Sequence, residues 1–163
     1  MTLTITPVPL ADLDQCLGHA EGYYEHLGIG GAFNATQFLS TWRYMYRYAP
    51  SQIFALRKDD KDIGGMGVVV VQDQCSIEKV GTMMWVFIDE DARGGMGALM
   101  LYRRAEQWAR ENGAVRMRVN FHPGQSLDVQ LDHDKKWVGA FTSMGYVPID
   151  VAWQKTFTTV TKG

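Results

Sequence analysis

The ten residues DARGGMGALM, at positions 91–100, have the residue types of an anion-binding turn. Glycines let the main chain approach a ligand closely, and the first turn of a helix has amide N–H groups without an internal acceptor. No Ser, Thr, Asp or Asn stands at the start of the helix predicted after this turn, and the helix dipole adds partial positive charge, so a pyrophosphate is a suitable ligand. Arg93 would reinforce the site. Purely structural tight turns have the same pattern, so the neighbouring elements must decide.

The tetrapeptide GGMG occurs twice, and its other copy, at positions 64–67, is followed by four valines. β-Branched residues favour strands over helices, so this copy is predicted inside a strand. Its glycines are then expected to mark a bulge or a close approach of the backbone rather than a phosphate loop.

The order of elements around the two copies is predicted from hydrophobic periodicity and turn residues. A first strand, LTITPV, precedes two helices, PLADLDQCLGHAEGYYEH and NATQFLSTWRYMYRY, and Asn34 is expected to cap the second. The polar KDDKD predicts a hairpin between IFALR and IGGMGVVVV, and a third strand is expected over residues 77–88. A helix, a strand, a helix ending at Gly145 and a final strand follow, as ALMLYRRAEQWAREN, AVRMRVNF, KKWVGAFTSMGY and VPIDVAWQKTF.

The copy at residues 94–97 therefore lies between a strand and a helix, in a β-loop-α-β unit. The strand after that helix alternates, which predicts that Val115, Met117 and Val119 share its buried face. A P-loop is excluded because no Gly-Lys-Ser/Thr follows, and a dinucleotide-binding unit is disfavoured because His122 and Pro123, not an acidic residue, follow the second strand.

Composition narrows the function classes further. With 163 residues, 46% of them hydrophobic, the chain is predicted to form one domain over residues 1–163, as a monomer or homodimer. The net charge of -2 gives no broad basic field, so no nucleic-acid partner is expected. No apolar run is long enough for a membrane span and no leader is apparent, so a cytoplasmic protein without a membrane partner is expected. Cys16 and Cys75 are far apart and are interpreted as buried free thiols. No metal site is expected, and this includes the loop HPGQSLDVQLDHD.

The whole order of elements resembles the GNAT superfamily of acetyl-CoA-dependent N-acyltransferases. The most specific part, residues 88–98, is similar to the family's V-x-P-x-x-R-G-x-G-x-G/A segment, and SMGYVP resembles its L-G-F-x-x segment. The resemblance implies an α/β (α+β) domain with a mixed six- or seven-stranded sheet, splayed central strands and about four flanking helices. It also implies acetyl-CoA as co-substrate, with its pyrophosphate bound by Arg93, Gly94, Gly95, Met96, Gly97 and Ala98 and its pantetheine arm paired with the main chain of Trp85, Val86, Phe87 and Ile88.

Two departures from the family pattern affect this site. Glu90 replaces the usual Pro, and the glycine loop is one residue short unless Ala92 takes the Arg/Gln position. Asp89, Glu90 and Asp91 also put three carboxylates beside an anion site, which is unfavourable unless they point to solvent or help bind an amine. We expect at least two of them to face solvent.

The acceptor end of the site is less clear from the sequence. Where many family members have a Tyr that protonates the leaving thiolate, this chain has Phe141, which cannot donate a proton. His122 and Tyr146 are the candidate catalytic residues that remain. The general base, which is a separate role, could be a water chain. The acceptor amine is expected near Asn120 and a helix-helix segment containing Tyr23, Tyr24, Glu25 and His26, although core packing of the two tyrosines is an alternative.

The sequence thus predicts an N-acetyltransferase that moves an acetyl group from acetyl-CoA directly to a primary amine of a small molecule or a protein. The alternatives are a non-catalytic acyl-CoA-binding module that lost its acid, or an interaction domain on the same fold.

Overall fold

The computed structural model describes residues 2–27, 31–93, 96–119 and 138–147. Their strands form one sheet in the order β1-β2-β3-β4-β5, with β1 at Leu3–Val8, β2 at Ser51–Lys58, β3 at Lys61–Gln72, β4 at Lys79–Ile88 and β5 at Ala114–Arg118. The helices are α1 at Leu17–Leu27, α2 at Ala35–Tyr48 and α3 at Met96–Glu111, and residues 138–143 are also helical. The first four strands are antiparallel, whereas β4 and β5 are parallel and are joined through α3, as the β-loop-α-β pattern predicts.

The mixed α/β architecture confirms the predicted fold class. The sheet has five strands among the described residues, and the final predicted strand, VPIDVAWQKTF, lies almost wholly outside them. The first predicted helix is divided into a 3₁₀ helix at Leu10–Cys16 and α1.

Each face of the sheet is covered by its own helices. On one face α3 buries Ala98, Leu101 and Ala105 against β2, β3 and β4. On the other face Trp42 of α2 packs with Trp85 of β4, together with Phe38, Leu39, Met45 and Tyr46, as the helical spacing predicts. The two residues that were expected to end or start helices do so: Asn34 accepts a hydrogen bond from the Gln37 amide at 2.9 Å, and Gly145 has a φ of +87°.

The predicted burial of β5 is wrong at one residue. Val115 was expected on the buried face, yet it is 62% exposed. The cause is a shift in the β4–β5 register, in which Lys79 is opposite Ala114 but Val80 is opposite Arg116. Val115 is therefore an extra residue in the pairing, and Ala114 takes the buried place.

Within the described part of the chain, every helix is too short or too polar to cross a membrane.

Candidate active site

In the described residues, the two parallel strands pair over only part of β4. Their pairing extends to Thr82, which is opposite Arg118, and among these residues only β3 pairs with positions 83–88 of β4. In the same place the β3–β4 register shifts, since Gly67 is opposite Trp85 but Val68 is opposite Met83. Met84 is thus the extra residue of a bulge, and its side chain is 44% exposed. Within the described part of the chain, β4 therefore has an edge without a second strand from this bulge to its end, here called the open edge.

Side chains along this open edge alternate between the two faces of the sheet. Trp85 packs in the cluster that contains Trp42, and Phe87 touches α1 so closely that a Cβ added to Gly22 would lie 2.7 Å from the ring. Val86 and Ile88 face the cluster under α3. Because these side chains are held on both faces, the backbone N–H and C=O groups of the edge remain directed toward the opening.

The open strand leads through a short 3₁₀ helix, Glu90–Ala92, to the start of α3. Met96 is the first residue of α3 and is 56% exposed, and the first turn contains no acidic residue. Its N–H groups and dipole therefore present partial positive charge at the end of β4. Gly94 and Gly95, which were predicted to bind pyrophosphate, lie outside the described residues.

Two other predicted loop residues have a packing role as well. Gly97 is buried, and a Cβ there would lie 2.7 Å from Leu56 Cδ2, so glycine at this position allows α3 to approach β2. Ala98 is buried in the same core. Their small size would be required for the fold even without a ligand.

Arg93 is folded back onto the end of β4. Its Nε donates to the Ile88 carbonyl at 2.8 Å, and its guanidinium lies 5.3 Å from the centre of the Phe87 ring. Nη1 is 3.6 Å from Glu90. The cation is thereby held at the end of β4, directly before the predicted glycine loop in the sequence.

The three carboxylates before the loop differ in exposure. Glu90 has 88% of its side chain exposed and Asp91 is also exposed, which confirms that two of them face solvent. Asp89 instead lies 3.5 Å from Nε2 of His19 on α1. Sequence reasoning missed His19, although its spacing from Gly22 and Tyr23, three and four residues on, places it on the sheet-facing side of that helix.

The GGMG copy at residues 64–67 lies inside β3, as predicted. A Cβ added to Gly67 would be 2.4 Å from ring atoms of both Trp42 and Trp85, and one added to Gly64 would be 2.7 Å from the Phe87 carbonyl oxygen. These glycines therefore serve the predicted close approach. Gly64 and Gly65 also line a small cavity between β3 and α1.

The predicted acceptor residues of α1 point in different directions. Tyr23 is half-buried and packs on the Trp42 cluster, where burial raises its pKa, so the core-packing alternative describes its contacts. The Tyr24 ring lies 6.1 Å from that of Phe33, and Glu25 and His26 are exposed. The fifth residue of that predicted site, Asn120, lies outside the described residues.

The structure describes two of the three positions that were considered for the general acid, Phe141 and Tyr146. Phe141 packs at the core, with its ring centre 5.0 Å from that of Tyr102.

The Tyr146 hydroxyl is buried without a hydrogen-bond partner among the described residues. Burial raises the pKa of Tyr146 to about 12, with a further rise from Glu106 and an opposing effect of Arg110. Since a helix rises ~1.5 Å per residue, Glu106 is roughly 15 Å along α3 from Met96. His122 lies outside the described residues, so both catalytic assignments stay predictions.

Comparison with known proteins places this geometry in a family. The family model described as acetyltransferase (GNAT) matches residues 16–128. A search of curated proteins found no match. Among solved structures, an aminoglycoside acetyltransferase from an uncultured soil metagenomic sample has a TM-score of 0.71 at 10% identity, over 97% of this chain and 100% of that one.

Two further structures show the same fold at low identity. Glucosamine-6-phosphate N-acetyltransferase from Arabidopsis thaliana has a TM-score of 0.62 at 15% identity, over 97% of this chain and 100% of that chain. AAC(6')-Iy in complex with the bisubstrate analogue CoA-S-monomethyl-acetylneamine has a TM-score of 0.68 at 15% identity, with the same coverage of 97% and 100%. The family match over most of the sequence establishes that the chain belongs to the acetyltransferase (GNAT) family.

Proposed function

We propose that this protein is an N-acetyltransferase that moves an acetyl group from acetyl-CoA to a primary amine of a small molecule or a protein. The observation that carries the proposal is the open edge of β4 at residues 83–88 in the described structure, which precedes the start of α3, a helix whose first turn contains no acidic residue. An extended polar chain can add to such an edge as a strand does, while its anionic end binds the helix N-terminus. The pantetheine arm and pyrophosphate of acetyl-CoA have these two properties.

The phosphates would be held at the start of α3. The amides of Met96, Gly97 and Ala98 belong to the first turn, and the Arg93 guanidinium is held at the end of β4 by the Ile88 carbonyl. Nε is engaged there and Nη1 is 3.6 Å from the exposed Glu90, so a phosphate oxygen would pair with the terminal nitrogens of Arg93 in competition with Glu90. The sequence adds the main chain of Gly94 and Gly95 to the same site.

The pantetheine arm would run along the main chain of residues 85–88 toward the opening of the sheet. β4 rises ~3.3 Å per residue, so residues 83–88 span roughly 16 Å. The thioester then lies near the bulge at Met84, where the two strands part. Backbone N–H groups of the open edge can donate to the thioester oxygen as negative charge develops on it.

The transfer would be direct. The neutral amine attacks the thioester carbon, a C–N bond forms, the C–S bond breaks, and the thiolate takes a proton. A covalent route through a thiol is not supported by Cys16, because burial, with a smaller effect of Asp62, raises the pKa of its thiol to about 12. Cys75 is exposed, contrary to its predicted burial, because it lies in the turn between β3 and β4, at the opposite end of β4 from the glycine loop.

Protonation of the departing thiolate is the step whose proton donor has to be identified. By the family resemblance Phe141 takes the position of the phenolic acid, and the pKa of about 12 at Tyr146, which burial and Glu106 of α3 raise, argues against that residue as donor. His122 therefore remains the better of the two sequence-based candidates, with water or the substrate ammonium as the other sources. Loss of a general acid costs about 10² to 10⁴ in rate, so we expect slow turnover.

The direct test is release of free CoA from acetyl-CoA with a panel of amines. The panel should contain aminoglycosides, amino sugars and their phosphates, polyamines, amino acids and peptides with free N-termini. Release above the rate without enzyme, with acetylated product identified by mass, supports the proposal. Tight acetyl-CoA binding without release on any of these amines would favour the non-catalytic binding module instead.

A further inference from the structure

The Asp89 carboxylate is one of three that precede the predicted phosphate site in the sequence. Asp89 directly follows β4, and its amide donates to the Ile63 carbonyl at 3.0 Å, so its main chain is fixed to β3. It stands at the N-cap position of the 3₁₀ helix Glu90–Ala92, yet its side chain makes no capping hydrogen bond. A carboxylate free to turn toward the start of α3 would repel a bound phosphate.

His19 gives this carboxylate another partner. Its Nε2 lies 3.5 Å from Asp89 Oδ1, with 17% of the His19 side chain and 32% of the Asp89 side chain exposed. The imidazole is itself held over the end of β4, with its ring centre 6.2 Å from that of Phe87. The close contact of Gly22 with the same Phe87 ring brings α1 near enough for the pair to form.

The other two carboxylates before the loop are arranged differently. Glu90 is almost fully exposed and lies 3.6 Å from Arg93, and Asp91 is exposed. Solvent and salt screen those charges, whereas a half-buried carboxylate is screened less. The orientation of the Asp89 carboxylate should therefore affect a bound phosphate more than the orientation of Glu90 or Asp91 does.

We propose that His19 is a positioning residue for the cofactor loop, which holds the Asp89 carboxylate toward α1 and away from the phosphates of the cofactor. The inference rests on the proposed function, since it concerns the site assigned to acetyl-CoA. It adds a residue of α1, the helix predicted to line the acceptor site, to the determinants of cofactor affinity.

A double-mutant cycle on cofactor binding tests this role. We would measure the Kd of acetyl-CoA by calorimetry for the unaltered protein, His19→Ala, Asp89→Asn and the double variant. His19→Ala should weaken binding roughly two- to fivefold, because the partly exposed contact between His19 Nε2 and Asp89 Oδ1 is a weak one. Asp89→Asn should bind at least as well as the unaltered protein, and the double variant should bind like Asp89→Asn, because the amide carries no charge that His19 must restrain.

Three further measurements separate positioning from a general effect on α1. His19→Gln retains an N–H donor and should keep most of the affinity. Glu21→Gln, on the exposed side of α1, should bind like the unaltered protein. Once an amine substrate is known, the His19→Ala loss should appear in KM for acetyl-CoA rather than in kcat.

The inference is overturned if His19→Ala binds as well as the unaltered protein, or if its loss is the same with Asn at position 89. The second result would show that the imidazole acts through helix packing alone. Absence of acetyl-CoA binding by the unaltered protein would overturn the proposed function first, and this inference with it.

Discussion

The same tetrapeptide, GGMG, occurs twice in this protein and has two different structural settings. At residues 64–67 it lies within β3, and its glycines make room for Trp42, Trp85 and the backbone of β4. At residues 94–97 it ends in the first turn of α3, beside an open strand and a fixed guanidinium. The residues that follow decide the outcome, because VVVV continues a strand whereas ALML continues a helix. A glycine motif therefore indicates a ligand only together with the element it opens.

The largest expected effect concerns the β3 copy and is an effect on stability. In Gly67→Ala the new Cβ would lie 2.4 Å from Trp42 and Trp85, both in the core, so unfolding by denaturant should show a loss of about 3 kcal/mol. Gly18→Ala is the matched control, since no atom lies within 4 Å of its added Cβ. That change in α1 should be neutral or stabilising by up to about 1 kcal/mol. Equal losses in both variants would contradict the packing role.

The next effect concerns the α3 copy and is an effect on ligand binding. Met96→Glu puts a carboxylate at the exposed first residue of α3, which should repel the pyrophosphate and raise the Kd of acetyl-CoA about tenfold or more. The same carboxylate interacts favourably with the helix dipole, so the melting temperature without ligand should not fall. Met96→Gln has nearly the same shape without the charge and should bind normally. Unchanged binding by a folded Met96→Glu protein would remove this helix terminus from the cofactor site.

A smaller expected effect, on the rate of CoA release, tests whether Tyr146, near the C-terminal half of α3, acts as the acid. Tyr146→Phe removes a buried hydroxyl without a partner in the described residues, near Glu106 and Arg110, so it should leave the rate within about twofold and stabilise the protein by up to ~1 kcal/mol. His122→Ala should lower the rate of CoA release. A rate loss of about 10² or more in Tyr146→Phe would instead identify that tyrosine as the acid.

The smallest expected effect is at the position of the missing acid. Phe141→Tyr adds a hydroxyl where the family resemblance predicts a phenol, so the rate should be unchanged or increased. The Phe141 ring is packed edge-on against Tyr102, at 5.0 Å between centres, and the hydroxyl reaches the thioester only if it projects beyond that contact. A clear fall in kcat in a folded variant would show that the aromatic packing itself is required.

Local patterns predicted most of the described architecture. The valines after Gly67, the helix formers after Gly97 and the Asn34 cap each depend on near neighbours in the chain, and each prediction is confirmed. The exposure of Val115 could not be predicted, because it results from a register shift between two strands far apart in sequence.

The candidate site likewise combines residues that local patterns predict with contacts that form only in the folded chain. Loop residues such as Arg93 were predicted because they adjoin the glycine pattern, although the hydrogen bond of Arg93 to Ile88 depends on the folded chain. His19 was missed because its partner, Asp89, is 70 residues away and comes close only when α1 packs on β4. Contacts between distant segments leave no periodic signal in a single sequence.

Hydrogen–deuterium exchange with and without saturating acetyl-CoA tests most directly which GGMG copy holds the cofactor. If acetyl-CoA binds as proposed, amides in residues 83–98 should exchange more slowly with ligand, because the open edge of β4 and the first turn of α3 gain partners, while residues 64–67 should be unchanged. No added protection in residues 83–98 at millimolar acetyl-CoA, or protection confined to β3, would contradict the assignment of the cofactor to the second copy.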